Sequence, residues 1–133
     1  MRDAAYAGLL KSRRAELHAA VASAFEQRSP ETIETEPETV AHHLTEAGLA
    51  ERAVGYWLRA GKNAATRSAN AEAIAHLLRG IVAVDRVSDG AAKGRVDLDL
   101  QLALGPCLIA TQGPASSVAV ATFTRARKLC ERL

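Results

Sequence analysis

Apolar residues recur at three- and four-residue spacing along most of this chain, the period of helices that bury one face. Residues from about Ala4 to Gln27 place Leu10, Leu17, Val21 and Phe25 on one stripe, with Ala20 and Ala24 beside it. Lys11, Arg13, Arg14 and Glu16 fall mostly off that stripe. The stretch from Arg28 to Glu36, rich in Glu, Thr and Pro, reads as a loop. Thr35 and Glu38 have capping-box spacing, and Pro37 suits the first turn of a helix from about Pro37 to Ala47 that Gly48 would end. A third helix, about Ala50 to Arg67, turns Val54, Trp57, Leu58, Gly61 and Ala65 inward. Ser68 and Asn70 offer N-cap side chains for a fourth, about Ala71 to Val84, with Ile74, Leu77, Leu78 and Ile81 inside. Asp85 to Gly90 is a polar break.

Residues 96–109 carry two patterns. Their strict alternation suggests a half-buried strand, yet Leu98, Leu102, Gly105 and Ile109 form one helical stripe and Leu100, Leu104 and Leu108 the next. Leu, Ala and Gln favour helix, so a deeply buried helix is expected, bent near Gly105-Pro106. Gly113-Pro114 breaks the chain before a last helix, about Ser116 to Arg132.

Small, large and small residues then repeat at one spacing: Ala53, Trp57, Ala60; Ala73, Leu77, Gly80; and Ala119, Phe123, Ala126. Close approach of antiparallel helices needs short side chains facing bulky ones. With Gly61 a turn after Trp57, residues 54–84 resemble a tetratricopeptide helix pair. The starting alanines are 20 and 46 residues apart, not the roughly 34 of a regular array. The expected fold is therefore all-α: about six helices in an irregular tetratricopeptide-like stack, an α-α superhelix, forming one domain over residues 1–133.

The composition agrees with this. Apolar residues make up 48% but aromatics only 4%, which suits helices packed through Ala and Leu better than a β-sandwich. A net charge of +2 gives no ground for nucleic-acid or membrane binding. Charge is unevenly spread: residues 29–51 hold six acidic side chains and no Lys or Arg, whereas 52–95 hold eight basic and three acidic. Cys107 and Cys130 lie in apolar helical patterns without ligand spacing, which predicts two buried thiols in a reduced, cytoplasmic protein. No apolar run reaches the roughly 20 residues of a membrane span, and no signal-peptide layout is present.

Several strings go further than the repeat class. They are Arg2-Asp-Ala-Ala-Tyr6-Ala-Gly-Leu-Leu-Lys11-Ser-Arg-Arg-Ala-Glu-Leu-His18, Ala41-His-His-Leu-Thr-Glu-Ala-Gly48, Ala53-Val-Gly-Tyr-Trp-Leu-Arg-Ala-Gly61, Ser68-Ala-Asn-Ala-Glu-Ala-Ile-Ala-His76-Leu and Leu98-Asp-Leu-Gln-Leu-Ala-Leu-Gly-Pro106. Together they resemble the helical region after the ATPase module of large bacterial signalling proteins, many of which begin with a class III adenylate/guanylate cyclase domain. The resemblance implies that residues 1–28 form the junction after that module and that 36–133 form tetratricopeptide-like hairpins. It also implies a non-catalytic, protein-binding or regulatory segment whose partner is a peptide segment or a neighbouring ATPase or cyclase module. Large ATPase-type transcription activators share the layout and supply the alternative. Glu131-Arg-Leu133 ends without a helix-stop signal, which predicts a piece of a longer polypeptide.

Catalytic signatures are missing. Gly61-Lys62 precedes Asn63, and Tyr56 stands where the first glycine of a phosphate-binding loop would be. Asp97 and Asp99 lie in the Leu-rich helix, outside any cyclase metal-binding context. His42 and His43 are neighbours, so on a helix they point about 100° apart and grip one metal poorly; His18 or His76 would join them only through the fold. No catalytic residue, cofactor or metal is expected. In a tetratricopeptide groove the first helix of each pair forms the lining, which puts Leu58, Lys62, Ala65 and Thr66 there as candidate partner-binding residues. The Lys/Asn carboxylate clamp of such grooves is not reproduced, since Leu58 occupies its first position. Lys11, Arg13 and Arg14 form a candidate docking patch for an acidic partner. Pairing of exposed repeat ends into a homodimer is a further expectation.

Overall fold

The computed structural model describes residues 2–133, with side chains from Asp3 onward; Met1 lies outside the described residues. Among these the chain is all-helical, with seven helices and no strand: α1 (Arg2–Arg28), α2 (Pro30–Thr35), α3 (Pro37–Glu46), α4 (Ala50–Thr66), α5 (Asn70–Val84), α6 (Ala91–Gln112) and α7 (Ser117–Arg132). Short connections force neighbours to reverse direction, and the helices pack as three pairs, α1 with α3, α4 with α5 and α6 with α7. Successive pairs join through α3 on α4 and α5 on α6, and α4 also touches α6. This is the stack of helix pairs that the small and large residues require.

Glycines set the closest approaches. A Cβ on Gly61 would overlap the side chain of Leu77, so α4 and α5 meet there only because Gly61 has none. A Cβ on Gly80 would lie 2.8 Å from Leu100 Cδ2 and 3.2 Å from Trp57 Cβ. Gly105 accepts the ring of Phe123 in the same way between α6 and α7. Trp57, Leu77, Leu44 and Leu100 are almost wholly buried in one core that also takes in Val40, Val54, Leu104 and Leu108.

The seventh helix, α2, replaces the expected loop. Pro30 opens it, and the Ser29 carbonyl accepts from the backbone N–H groups of Thr32 (3.0 Å) and Ile33 (3.3 Å). Ile33 packs against the core, which holds the short helix in place. The capping box does not form, because Thr35 belongs to α2 and its hydroxyl donates to the Glu31 carbonyl at 2.9 Å. Glu36 is the N-cap residue of α3, with Pro37 at N1 as expected.

Gly48 ends its helix turn as expected, with φ 77°. The Leu49 N–H reaches back to the Leu44 carbonyl at 2.9 Å, and the Gly48 N–H reaches Thr45 at 3.0 Å, a Schellman closure. The α4 terminus repeats it: Ala69 N–H to Ala64 (2.9 Å) and Ser68 N–H to Ala65 (3.0 Å), with Ser68 at φ 59°. Ser68 therefore closes α4 and does not cap α5, whose N-cap position is Ala69 and whose first residue is Asn70.

Three expected inner faces are corrected. On α1, Leu10, Leu17 and Val21 are exposed; Ala22 is buried, and Phe25 packs on the core. Leu78 of α5 is 47% exposed. In α6 the Leu100, Leu104 and Leu108 stripe is the core, whereas Leu102 and Ile109 face outward. The α6 helix runs on through Gly105-Pro106, and Pro106 lies on its exposed side. Cys107 is buried as expected, but Cys130 is exposed.

Candidate partner-binding surfaces

The helical stack arranges α4 so that its faces do different work. Val54, Trp57, Gly61 and Ala64 face the core. On one flank, the phenol of Tyr56 donates to Glu26 Oε2 at 2.8 Å, and Arg52 forms an ion pair with the same carboxylate. Burial and then the bond to Glu26 raise the Tyr56 pKa. Asn63 Nδ2 donates to the Glu34 carbonyl at 3.0 Å, adding a tie to α2. The flank of α4 toward α1 and α2 is therefore committed to structure.

The opposite flank remains open. Lys62, Ala65 and Thr66 line a cleft of about 590 Å³ with Asn70 and, from α6, Asp99, Leu102, Ala103, Pro106 and Cys107. Three of the four groove residues expected from sequence thus come together, and α6 supplies the wall that the α4 pattern alone could not reveal. Leu58 is not among the lining residues; it is half-buried and packs against the core. The cleft carries a cation (Lys62) and a carboxylate (Asp99) beside apolar Leu102 and Ala103, without an ion pair between the two charges. Burial pushes the Cys107 thiol pKa up, so the thiolate a nucleophile would need is disfavoured.

A second cavity, about 460 Å³, lies where α3, α4 and α5 meet, with Thr45, Trp57, Leu78, Arg79, Val82 and Arg86 among its lining residues. Trp57 is fixed there from several sides. Its indole N–H donates to Thr45 Oγ1 at 2.9 Å, His76 stacks on it at 5.8 Å between centroids, and the Arg79 guanidinium lies 5.4 Å from its ring. These contacts make Trp57 the bolt between α3, α4 and α5, a structural role.

Lys11, Arg13 and Arg14, the residues of the candidate docking patch, are exposed on α1. Lys11 and Arg14 border a shallow cavity with Leu10 and Glu46; Arg13 lies outside it. Sequence spacing gave no sign that the fold would gather His18, His42 and His43. Their ring centroids stand 5.1 to 6.0 Å apart, and His18 Nδ1 lies 2.8 Å from His43 Nδ1. Even so, no group of three His, Cys, Asp or Glu among the described residues is placed to hold a metal ion. Asp97 is buried and accepts from Arg125 Nη2 (2.8 Å) and Gln101 Nε2 (3.1 Å), a clamp joining α6 to α7. No helix among the described residues is long and apolar enough to cross a membrane.

No family model matches the chain, and no solved structure matches it. It is 29% identical over 132 residues to an uncharacterized protein of Rhizobium meliloti (strain 1021). The alignment takes in 99% of this chain and 13% of that protein, so the chain spans a small fraction of the relative it matches.

Proposed function

We propose that this chain is a non-catalytic protein-interaction segment of a cyclase- or ATPase-linked bacterial signalling protein, holding a peptide segment or a neighbouring ATPase or cyclase module. One observation carries the interaction reading. The open flank of α4 and the outward face of α6 enclose a cleft that joins Lys62 and Asp99 to Leu102 and Ala103. Mixed apolar and singly charged linings of this kind orient a peptide by its charges while burying its side chains. The link to cyclase and ATPase proteins rests on the sequence resemblance, and a role in an ATPase-type transcription activator is the second reading on the same ground. The cytoplasm is the compartment this reading implies.

Affinity capture from native lysate, run in parallel with the unaltered chain and a Lys62→Glu/Leu102→Arg variant, tests the proposal. Recovery of a defined ATPase or cyclase polypeptide by the unaltered chain alone is expected. Equal recovery by both chains would remove the cleft from the account, and recovery of a transcription-activator polypeptide would favour the second reading.

A further inference from the structure

The second and third helix pairs repeat one contact. Phe123 of α7 lies where a Cβ on Gly105 of α6 would fall, as Leu77 of α5 does against Gly61 of α4. Counting from these contacts, Ala65, Ile74, Leu77 and Gly80 of the second pair correspond to Ile109, Val120, Phe123 and Ala126 of the third. In the second pair α6 covers this face. Leu100 sits beside Gly80, Cys107 shares an apolar cluster on which Ala65 and Ile74 pack, and Leu77 is 0% exposed. In the third pair the same face is open: Phe123 is 39% exposed and Val120 56%, and Ile109 is exposed too. Phe123 and Val120 line a groove of about 320 Å³ with Pro114 and Arg127. Exposed Cys130 corresponds to Val84, which is buried beside Gly94 and Asp97 of α6. Val118 is 50% exposed as well, but it corresponds to Glu72, which stays in solvent although α6 is in place.

The covered pair shows what the open pair accepts. Helix α6 runs antiparallel to α5 and touches α4 as well, so it lies along the groove of the pair it covers. A second copy cannot offer its own α6 for this seat, since Leu100, Leu104 and Leu108 are already buried inside that copy. Bulk has also shifted at the seat. Ala126 replaces Gly80 and Ile109 replaces Ala65, so close packing needs smaller side chains where α6 has Leu100 and Cys107. Arg127 falls within the face at the position of Ile81, and its exposed side chain pairs with Glu131 at 3.5 Å. A long stem of this kind can lie along apolar surface while its charge stays in water. We propose that the open face of α6 and α7 seats a further helix pair. Its leading helix runs antiparallel to α7 and presents Ala or Gly opposite Ala126 and Ile109. The α4–α6 cleft uses other residues, so either reading can fail alone.

The test extends the full chain by repeating residues 88–133 after Leu133, which stands where Val87 leads into the loop before α6. The repeat carries Leu100→Ala and Cys107→Ala to fit the seat, and Cys130→Ser so that the first Cys130 is the thiol followed. Maleimide should label that Cys130 at least about tenfold more slowly in the extended chain than in the original. Val120→Lys in the first unit should restore fast labelling, and Val118→Lys should not. Circular dichroism checks that the repeat adds helix; where it adds none, labelling beside a repeat that keeps Leu100 and Cys107 decides. The proposal is overturned by Cys130 labelling that the added pair leaves unchanged, or by equal effects of Val120→Lys and Val118→Lys. It is equally overturned by a light-scattering dimer of the original chain that Val120→Lys dissolves, which would make a second copy the occupant.

Discussion

His18 of α1 and His43 of α3 bring their Nδ1 atoms within 2.8 Å, a distance at which one ring must donate and the other accept. Two protonated imidazoles cannot share that contact. Phe25 stacks on His43 from the same helix as His18, with centroids 6.1 Å apart, so the pair is part of the seam that holds α1 to the stack.

This contact makes the α1–α3 seam sensitive to acid. Burial first, then the charges of His18 and His42, lower the His43 pKa below its ordinary 6.5. A folded-state pKa below the unfolded value means that the unfolded chain binds more protons. The contribution is therefore fully present above about pH 6.5 and is lost as pH falls through the lowered folded value. Urea unfolding followed by Trp57 fluorescence should show stability falling from pH 7.5 toward about pH 5, and falling less in a His43→Asn chain. Identical slopes in the two chains would remove His43 as the cause.

Two glycines in α4 should respond oppositely to alanine. Gly55 has nothing within 4 Å of an added Cβ, so Gly55→Ala should stabilise by about 0.5–1 kcal/mol through helix propensity. At Gly61 the added methyl overlaps Leu77, and overpacking should cost about 1–3 kcal/mol, outweighing the same propensity gain. Denaturation midpoints of the two variants decide it; a stabilising Gly61→Ala would mean that α4 and α5 do not approach as closely as described.

Ser68 holds φ 59° with no glycine to ease it. Replacing it by glycine removes a steric penalty while leaving the Schellman bonds in place, and should raise stability by about 0.5–1 kcal/mol. A loss of stability on Ser68→Gly would place the serine side chain in a contact of its own.

The two thiols should separate by reactivity. Cys130 is exposed, whereas Cys107 is buried with its pKa raised. Maleimide labelling of the native chain followed by peptide mapping should modify Cys130 and spare Cys107 until denaturant is added. Equal labelling of both in the native state would show the α4–α6 cleft opening to its floor.

The stack was legible where packing is written into residue size. Trp57, Gly61, Leu77 and Gly80 announce a close helix pair, and the structure closes Gly61 on Leu77 and Gly80 on Trp57 and Leu100. Periodicity alone could not say what each stripe meets. Leu10, Leu17 and Val21 have the spacing of a buried face, yet α1 packs through other residues and leaves them outside. The short helix α2 was hidden because Ile33 is its only large apolar residue, too few to show a period. Ser68 was misread because serine is a common N-cap, and its left-handed backbone has no signature in the side chain. Half the cleft was readable as the α4 stripe Lys62, Ala65, Thr66; Asp99 and Leu102 joined it only through the packing of α6 on α4.

The most direct measurement of the central claim is site-specific photo-crosslinking in cells, with benzoyl-phenylalanine at Leu102 in the cleft or at the exposed Ala75 of α5. A discrete adduct with one protein from position 102, absent from position 75, is the result expected of a partner-holding cleft. The same adducts from both positions, or none from position 102, would contradict it.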